Sequence, residues 1–391
     1  MAHGLQGVPA VERGLTVLVT GASGQIGAEL VGELCEAGCS VIALVNRTGA
    51  IVRNDGSRIQ TVGLRHRQPG RVAQVRGNVA CEGLGLDPGE REALLSDVDV
   101  VVHSAAITEF GLERSLYDSV NVAGTKNVLA FVADQSFGRP KHLIHVSTAY
   151  VCGDTNHRFA EADLENGQRF SNEYERSKYE AELLVREAVS RGARAVTVRP
   201  SIVVGNAATG EVREFKNIYT VLRTATNGII RAIPGDYDAT LDLIPIDYVV
   251  RGLLTIISVR EQWFGKTFHL VNGSPITLGQ FSEVMSEYPS LFVPRFVPPA
   301  NFDLEGLPAM ELRYHKNIIR HYYSYFRRKC TFDQQNILQI MPDLRPKTGK
   351  PLLRKLLNYC EHRGYLRPSR LAFGAKKTTP VLSDASSDVL G

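Results

Sequence analysis

Residues 16–30, TVLVTGASGQIGAEL, pass from a short β-branched run through three glycines into an amphipathic stretch. The spacing predicts a buried strand, a tight turn and a helix. Each glycine has its own reason: Gly21 allows the turn, Gly24 lets the backbone approach a pyrophosphate, and Gly27 lets the helix pack close to the strand. A lone glycine triplet says little, but here the strand, the helix and a following strand, VIALV, are all present. The reading is therefore a dinucleotide-binding turn, with Gly21, Ser23, Gly24, Gln25 and Ile26 as candidate cofactor contacts.

Working outward, VIALV, VAQVR, DVDVVVH, HLIHVS and ARAVTVRP alternate with helical stretches, among them 117–133 and 172–190. That rhythm predicts an α/β fold, a Rossmann-type doubly wound parallel sheet with helices on both faces. Beyond Pro200 the pattern loosens into scattered helices at 215–231, 241–257 and 275–288. We expect a smaller, mostly helical C-terminal substrate domain that makes excursions back to the sheet. The expected divisions are an extension at 1–15, the nucleotide-binding part at 16–205, the substrate part at 206–370 and a disordered tail at 371–391. Residues 289–302, PSLFVPRFVPPANF, read as an extended connector or pocket-lining loop.

The second strand ends in Asn46 and Arg47, where an NAD-binding chain would carry an acidic residue for the ribose 2′-hydroxyl. A guanidinium with no carboxylate beside it suits a 2′-phosphate, so NADPH is favoured over NADH. Arg53 and Arg58 could serve equally, or Arg47 could be a solvated loop residue. Asn78 and Val79 follow the third strand, and Ser104, Ala105 and Ala106 follow the fourth. Small residues at strand ends leave room for a ring and a ribose. His103, closing a buried strand, reads as structural rather than catalytic.

The chain has 391 residues with a net charge of +4, from 45 Lys and Arg against 41 Asp and Glu, which is too small a surplus to imply nucleic acid. The six cysteines form no CxxC pair and no Cys/His cluster with metal-ligand spacing, so free, buried thiols and no metal are expected. No apolar run approaches the roughly 20 residues of a membrane span, and the start lacks a secretory segment, so the expectation is a cytoplasmic protein.

The stretch NEYERSK, 172–178, places Tyr174 and Lys178 at i and i+4, on one face of the first turns of a helix. A phenol titrates near 10, and an ammonium beside it favours the phenolate. Upstream, HVSTAYVCG closes a strand with two hydroxyls, Ser147 and Thr148, either of which could hold a reacting oxygen. Tyr-x-x-x-Lys alone is common; the glycine turn and the hydroxyl strand end give it weight.

With these residues in place the sequence resembles an extended short-chain dehydrogenase/reductase over roughly 16–290. The TGxxGxxG turn, the hydroxyl–Tyr–Lys set, NVAGTKNVL and VRPSIVVG match in order and spacing. The phrases VVHSAAITEF, HVSTAYV, YERSKYEAE, RPSIVVG and LDLIPIDYVV narrow it to the thioester reductase and fatty acyl-CoA reductase (male sterility-like) branch. The resemblance implies that Tyr174 is the acid/base and that Lys178 contacts the nicotinamide ribose and lowers the tyrosine pKa. It also implies that Thr148 binds the substrate oxygen, since the active hydroxyl of the family lies five residues before the glycine matching Gly153. Pro200 and Ile202 fall among the cofactor contacts. Asn78 departs from the Asp common in the branch, and Asn46-Arg47 shifts the usual arginine by one residue.

The implied activity is NADPH-dependent reduction of an acyl thioester, carried on coenzyme A or on an acyl or peptidyl carrier protein, to the aldehyde or onward to the alcohol. The alternatives are another extended reductase or epimerase acting on a hydroxysteroid, ketone or nucleotide-sugar, and a non-catalytic dinucleotide sensor. Residues 312–329 hold six Lys and Arg, two His and five aromatics without a carboxylate. They suit an acidic carrier, the phosphates of coenzyme A or peripheral membrane contact, or else a half-buried helix with solvated charges. The stretch TFDQQNILQ and the later LRKLLNYCEHRGYL read as a helical closing element over an acyl channel. Acyl chain and oligomeric state stay open.

Overall fold

The computed structural model describes residues 11–366 apart from Thr48, Arg139 and Leu344. The expected disordered tail and most of the N-terminal extension lie outside the described residues. Eight strands form one sheet: β1 (Thr16–Thr20), β2 (Ser40–Val45), β3 (Thr61–Gly63), β4 (Arg71–Arg76), β5 (Val100–His103), β6 (His142–Val146), β7 (Ala195–Pro200) and β8 (Thr267–Leu270). They run in the order β8-β7-β6-β5-β1-β2-β4-β3, and every pairing is parallel. All residues of β2, β5, β6 and β7 are buried, as expected of strands covered on both faces. The two edge strands escape the sequence pattern. β3 is three residues long and half exposed, and β8 follows a long excursion.

Among the described residues, ten α-helices of six residues or more accompany the sheet: α1 (Gln25–Glu36), α2 (Pro88–Asp97), α3 (Gly124–Ala133), α4 (Glu173–Ser190), α5 (Ile218–Thr226), α6 (Ile246–Val259), α7 (Leu278–Ser286), α8 (Ala309–Asn317), α9 (Gln335–Ile340) and α10 (Gly349–His362). A π-helical segment, Asp118–Ala123, leads into α3. Alternate residues of each strand point to opposite faces. Val17, Val19, Val41 and Val100 join α1, α6 and Ile337 of α9 in one core. Leu18, Ile42, Val101 and Leu143 join α2, α3 and Val185 of α4 in the other. Because β2 and β5 flank β1 on opposite sides, the chain leaves β1 and β5 in opposite directions, which opens a crevice at their carboxyl ends.

A third core, with Tyr150, Leu222, Leu278, Phe281, Phe326, Leu353 and Leu357, belongs to a cap over that crevice. Its strands are two or three residues long and pair across great sequence distances. Ile202–Val204 lies parallel to Leu243–Pro245, Arg158–Phe159 to Thr331–Phe332, and Ala232–Pro234 to Arg295–Val297. Within the expected extended connector or pocket-lining loop at 289–302, Arg295–Val297 form a short strand, and Val293, Pro294 and Phe296 line an apolar cleft. The RPSIVVG and LDLIPIDYVV phrases meet in the first pair, where the Ser201 hydroxyl donates to Asp242 at 2.5 Å.

The basic stretch 312–329 splits between α8 and a 3₁₀ segment, Ile319–Phe326. Tyr325, Phe326 and Arg328 point inward, while Lys316, Arg327 and Lys329 are exposed and pair with Glu305, Asp154 and Asp238. The expected closing element also divides. α10 packs in the cap core, but α9 packs on the sheet with α6, because Ile337 and Met341 are buried there. All six cysteines are free; Cys81 is exposed and Cys35 half-buried, contrary to the expectation of uniformly buried thiols.

Candidate active site

The glycine turn forms as its spacing demands. Gly21 has φ +71°, and a Cβ there would lie 2.6 Å from the Ala105 nitrogen; at Gly27 it would lie 2.2 Å from the Gly21 carbonyl oxygen. No side chain caps α1 at Gly24, and no acidic residue occupies its first turn. The first N–H groups of α1 are therefore open to an anion, and the buried Gln25 Nε2 beside them has no partner among the described residues. Gly21, Ser23, Gly24, Gln25, Ile26, Ser104, Ala106, Pro200 and Ile202 line one cavity of about 440 Å³ together with Thr148, Tyr174 and Lys178. Uncapped donors, close backbone and an orphaned amide fit a pyrophosphate-bearing cofactor.

Two expected contacts stand behind that lining. Ala105 supports Gly21 from below, and Val79 is buried in the sheet core. Asn46, Arg47 and Asn78 line a separate open depression of about 460 Å³ at the ends of β2 and β4. Arg76, the last residue of β4, shares it, and sequence reading missed it although it directly precedes Gly77-Asn78. Among the described residues neither Arg47 nor Arg76 has an ion-pair partner. Arg53 drops out as an alternative, because Glu29, Glu33 and Glu36 of α1 claim its three nitrogens.

At the other end of the cavity, Asn172 caps α4 by accepting from the Glu175 N–H at 2.8 Å, one residue from the expected start. Tyr174 and Lys178 thereby face the end of β6. Thr148 caps the turn Ala149–Cys152, its hydroxyl donating to the Pro200 carbonyl at 3.4 Å and reaching the Tyr174 phenol. Ser147 is committed elsewhere: it donates to Glu182 at 2.7 Å, and Glu182 is locked to the buried Arg199.

Burial pushes the Tyr174 phenol up to about 12, opposed by the Thr148 hydroxyl and reinforced by Glu175 and Tyr117. Burial brings Lys178 down to about 8, with Glu182 acting the other way. The expected lowering of the phenol by Lys178 is therefore not what this geometry produces. The ammonium donates to the Val146 carbonyl at 2.8 Å, and desolvation dominates the tyrosine. His103 sits between the Thr20 and Thr125 hydroxyls at 2.8 and 3.1 Å, and burial brings it down to about 3, so it stays neutral and structural.

The remaining walls include Phe110, Ile218, Val221, Leu241, Tyr322, Tyr325 and Phe326, beside polar Thr108, Ser201, Glu214 and Asn217. Past Ile218, Val221, Leu241 and Phe326 a narrow apolar cleft of about 20 Å³ continues among Leu222, Ile233, Phe281, Met285 and Phe296. Arg213 and Lys216 also reach the cavity, but Arg213 donates to the Ser23 and Val52 carbonyls, and both cations pair with Glu214.

The chain is similar to known proteins. Residues 19–253, more than half of the chain, match the NAD-binding family described as Male sterility protein. A linear gramicidin synthase of Brevibacillus parabrevis is 28% identical over 265 residues, 65% of this chain and 5% of that one. Fatty acyl-CoA reductase wat of Drosophila melanogaster is 27% identical over 213 residues, 47% of this chain and 40% of that one. The chain thus spans less than half the length of these relatives. The terminal R domain of the myxalamid PKS-NRPS biosynthetic pathway has the same fold, with a TM-score of 0.74 at 24% identity over 92% of this chain and 94% of that one. This chain belongs to the Male sterility protein family.

Proposed function

We propose that this chain is an NADPH-dependent reductase of an acyl thioester, with Thr148, Tyr174 and Lys178 as its catalytic residues. The observation that carries the reading is the Thr148–Tyr174 hydroxyl pair at the floor of a cavity whose far wall is apolar. When bound, the reduced nicotinamide supplies a hydride to the thioester carbonyl carbon. The Thr148 and Tyr174 hydroxyls hold the oxygen as it becomes anionic, and preorganised donors there lower the barrier by several kcal/mol. Tyr174 then gives its proton to that oxygen. A phenol held up near 12 by burial is protonated before the reaction, which suits a proton donor. The hemithioacetal collapses to aldehyde and free thiol.

The apolar wall takes the acyl chain. A sugar diphosphate would need free cations there, and Arg213 and Lys216 are already paired. Arg47 and Arg76 supply the 2′-phosphate contacts that favour NADPH. Two of the matched proteins are named as a linear gramicidin synthase and a fatty acyl-CoA reductase, which favours the thiol of a carrier protein or of coenzyme A.

The test follows NADPH absorbance on mixing the protein with a long-chain acyl-CoA and, separately, the same acyl group on carrier protein. Turnover with aldehyde or alcohol as product, abolished by Tyr174→Phe, is expected with one of the two. No turnover with either thioester, despite tight NADPH binding, overturns the reading.

A further inference from the structure

One charged pair outside the catalytic set is buried against it. Glu175, the residue after Tyr174, is 0% exposed, and Arg328 of the cap is 2% exposed. The guanidinium grips the carboxylate with both terminal nitrogens, at 3.2 and 3.3 Å. Its carbon lies 5.2 Å from the Tyr150 ring centre and 4.9 Å from that of Tyr325. Both rings line the catalytic cavity, and Phe110 links them to the acid, with its ring 6.1 Å from Tyr325 and 5.8 Å from Tyr174.

This arrangement is costly. A buried ion pair is weak support for stability, since a well-packed apolar substitute is often as good or better. Here the Arg328 Nε also lacks a partner among the described residues. What the pair does accomplish is geometric. Asn172 fixes the Glu175 backbone from the cap of α4, and Arg328 fixes its side chain from the opposite domain, so that Tyr174 is held between two restraints. We propose that Arg328 is a positioning residue: by clamping Glu175 it sets Tyr174 against Thr148, so the acid is competent only when the cap is docked. This inference rests on Tyr174 being the acid.

The titratable groups around the pair are Tyr150, Cys152 and Tyr325, and around the phenol Tyr117, with the Thr148 hydroxyl beside it and Lys178 one turn along α4. Glu175 raises the phenol, and Arg328 offsets Glu175. Removing the Glu175 charge therefore lowers the phenol, and leaving that charge unpaired raises it.

The experiment compares Arg328→Met, Glu175→Gln and the double variant for kcat, KM, NADPH affinity, pH profile and melting temperature. Tyr174→Phe is the control, run with the thioester that wild type turns over. Arg328→Met is expected to lower kcat by about 10- to 100-fold, the cost of a misplaced reacting group, with KM and NADPH affinity within about 3-fold. The basic limb of the kcat profile moves to lower pH in Glu175→Gln, which loses the charge that raises the phenol. The double variant recovers the melting temperature but stays slow. A double variant as fast as wild type overturns the proposal, and so does an Arg328→Met whose loss falls on KM or NADPH affinity rather than on kcat. Should Arg328→Met fail to fold, the double variant decides alone. Turnover by Tyr174→Phe would instead sink the assignment of the acid.

Discussion

The sheet and the cap solve the same problem, placing side chains within an ångström, by different means. In the sheet, β1, β2, β5, β6 and β7 are wholly or almost wholly buried strands whose parallel pairings fix every neighbour. In the cap, strands of two or three residues pair over gaps such as 158 to 331, and aromatic contacts and buried ions supply what the ladders do not. The sheet side can therefore hold the hydroxyls proposed to meet every substrate, while the cap lines the far end of the cavity and touches the sheet side through the Arg328–Glu175 pair. Under the proposed function, chemistry belongs to the regular half and selectivity to the irregular one.

The largest effect that sharpens this division is at Tyr174. Replacing it by Phe removes only the hydroxyl, so kcat should fall by about 10²- to 10⁴-fold, the usual worth of general acid catalysis, with NADPH affinity unchanged. A loss of affinity equal to the loss of rate would mean that Tyr174 serves the cofactor and that the division is wrong. The cap should respond in the opposite way. Val221 lines both the catalytic cavity and the narrow cleft beyond it. Val221→Phe should cut kcat/KM for long acyl chains about 10-fold and leave short ones alone, since each methylene is worth roughly 1–3 kcal/mol in such a pocket. Equal losses for acetyl and palmitoyl thioesters would place the chain elsewhere.

The same contrast explains what was legible in the sequence. The glycine turn, α4 and the hydroxyl strand end could be read because local periodicity and turn chemistry dictate them: Gly27, Asn172 and Thr148 act on residues within a few positions of themselves. Strands β3 and β8 could not, because one is three residues long and the other is defined by its neighbour β7 rather than by its own pattern. The Arg328–Glu175 pair was invisible for a plainer reason: 153 residues separate the partners, and a basic run with aromatics reads the same whether it faces water or a buried carboxylate. Arg76 lay between these cases. Its place at a strand end beside Asn78 was a usable signal, but its convergence on Arg47 needs the pairing of β2 with β4, which sets Val45 opposite Arg76.

Arg76 offers a smaller test, confined to the cofactor side. An exposed guanidinium on a phosphate contributes modestly, so Arg76→Ala should weaken NADPH or 2′,5′-ADP binding by about 5- to 10-fold and reduce its salt dependence, with NADH binding unaltered. An equal loss for NADH would show that Arg76 supports the depression rather than reading the 2′-phosphate.

The smallest expected effect lies at the seam between the two halves, where Asp242 accepts from the Ser201 hydroxyl and the Asn272 N–H at 2.5 and 2.9 Å. Burial pushes this carboxyl up from 3.8 to about 6, against the pull of those donors. Between roughly pH 4 and 6 the native state keeps a proton that the unfolded chain has lost, so stability falls as pH rises through that window and the full penalty stands above it. The upper bound is on the order of 3 kcal/mol, from about two units of displacement. Asp242→Asn keeps an acceptor for both donors and cannot ionise. Its melting temperature should therefore gain on wild type by a few degrees, about 2–6 °C, between pH 4 and 6 and then hold that lead to pH 8. A gap that stays constant from pH 4 upward would mean that the donors keep Asp242 ionised throughout, and that the cap is docked onto the sheet without the electrostatic cost inferred here.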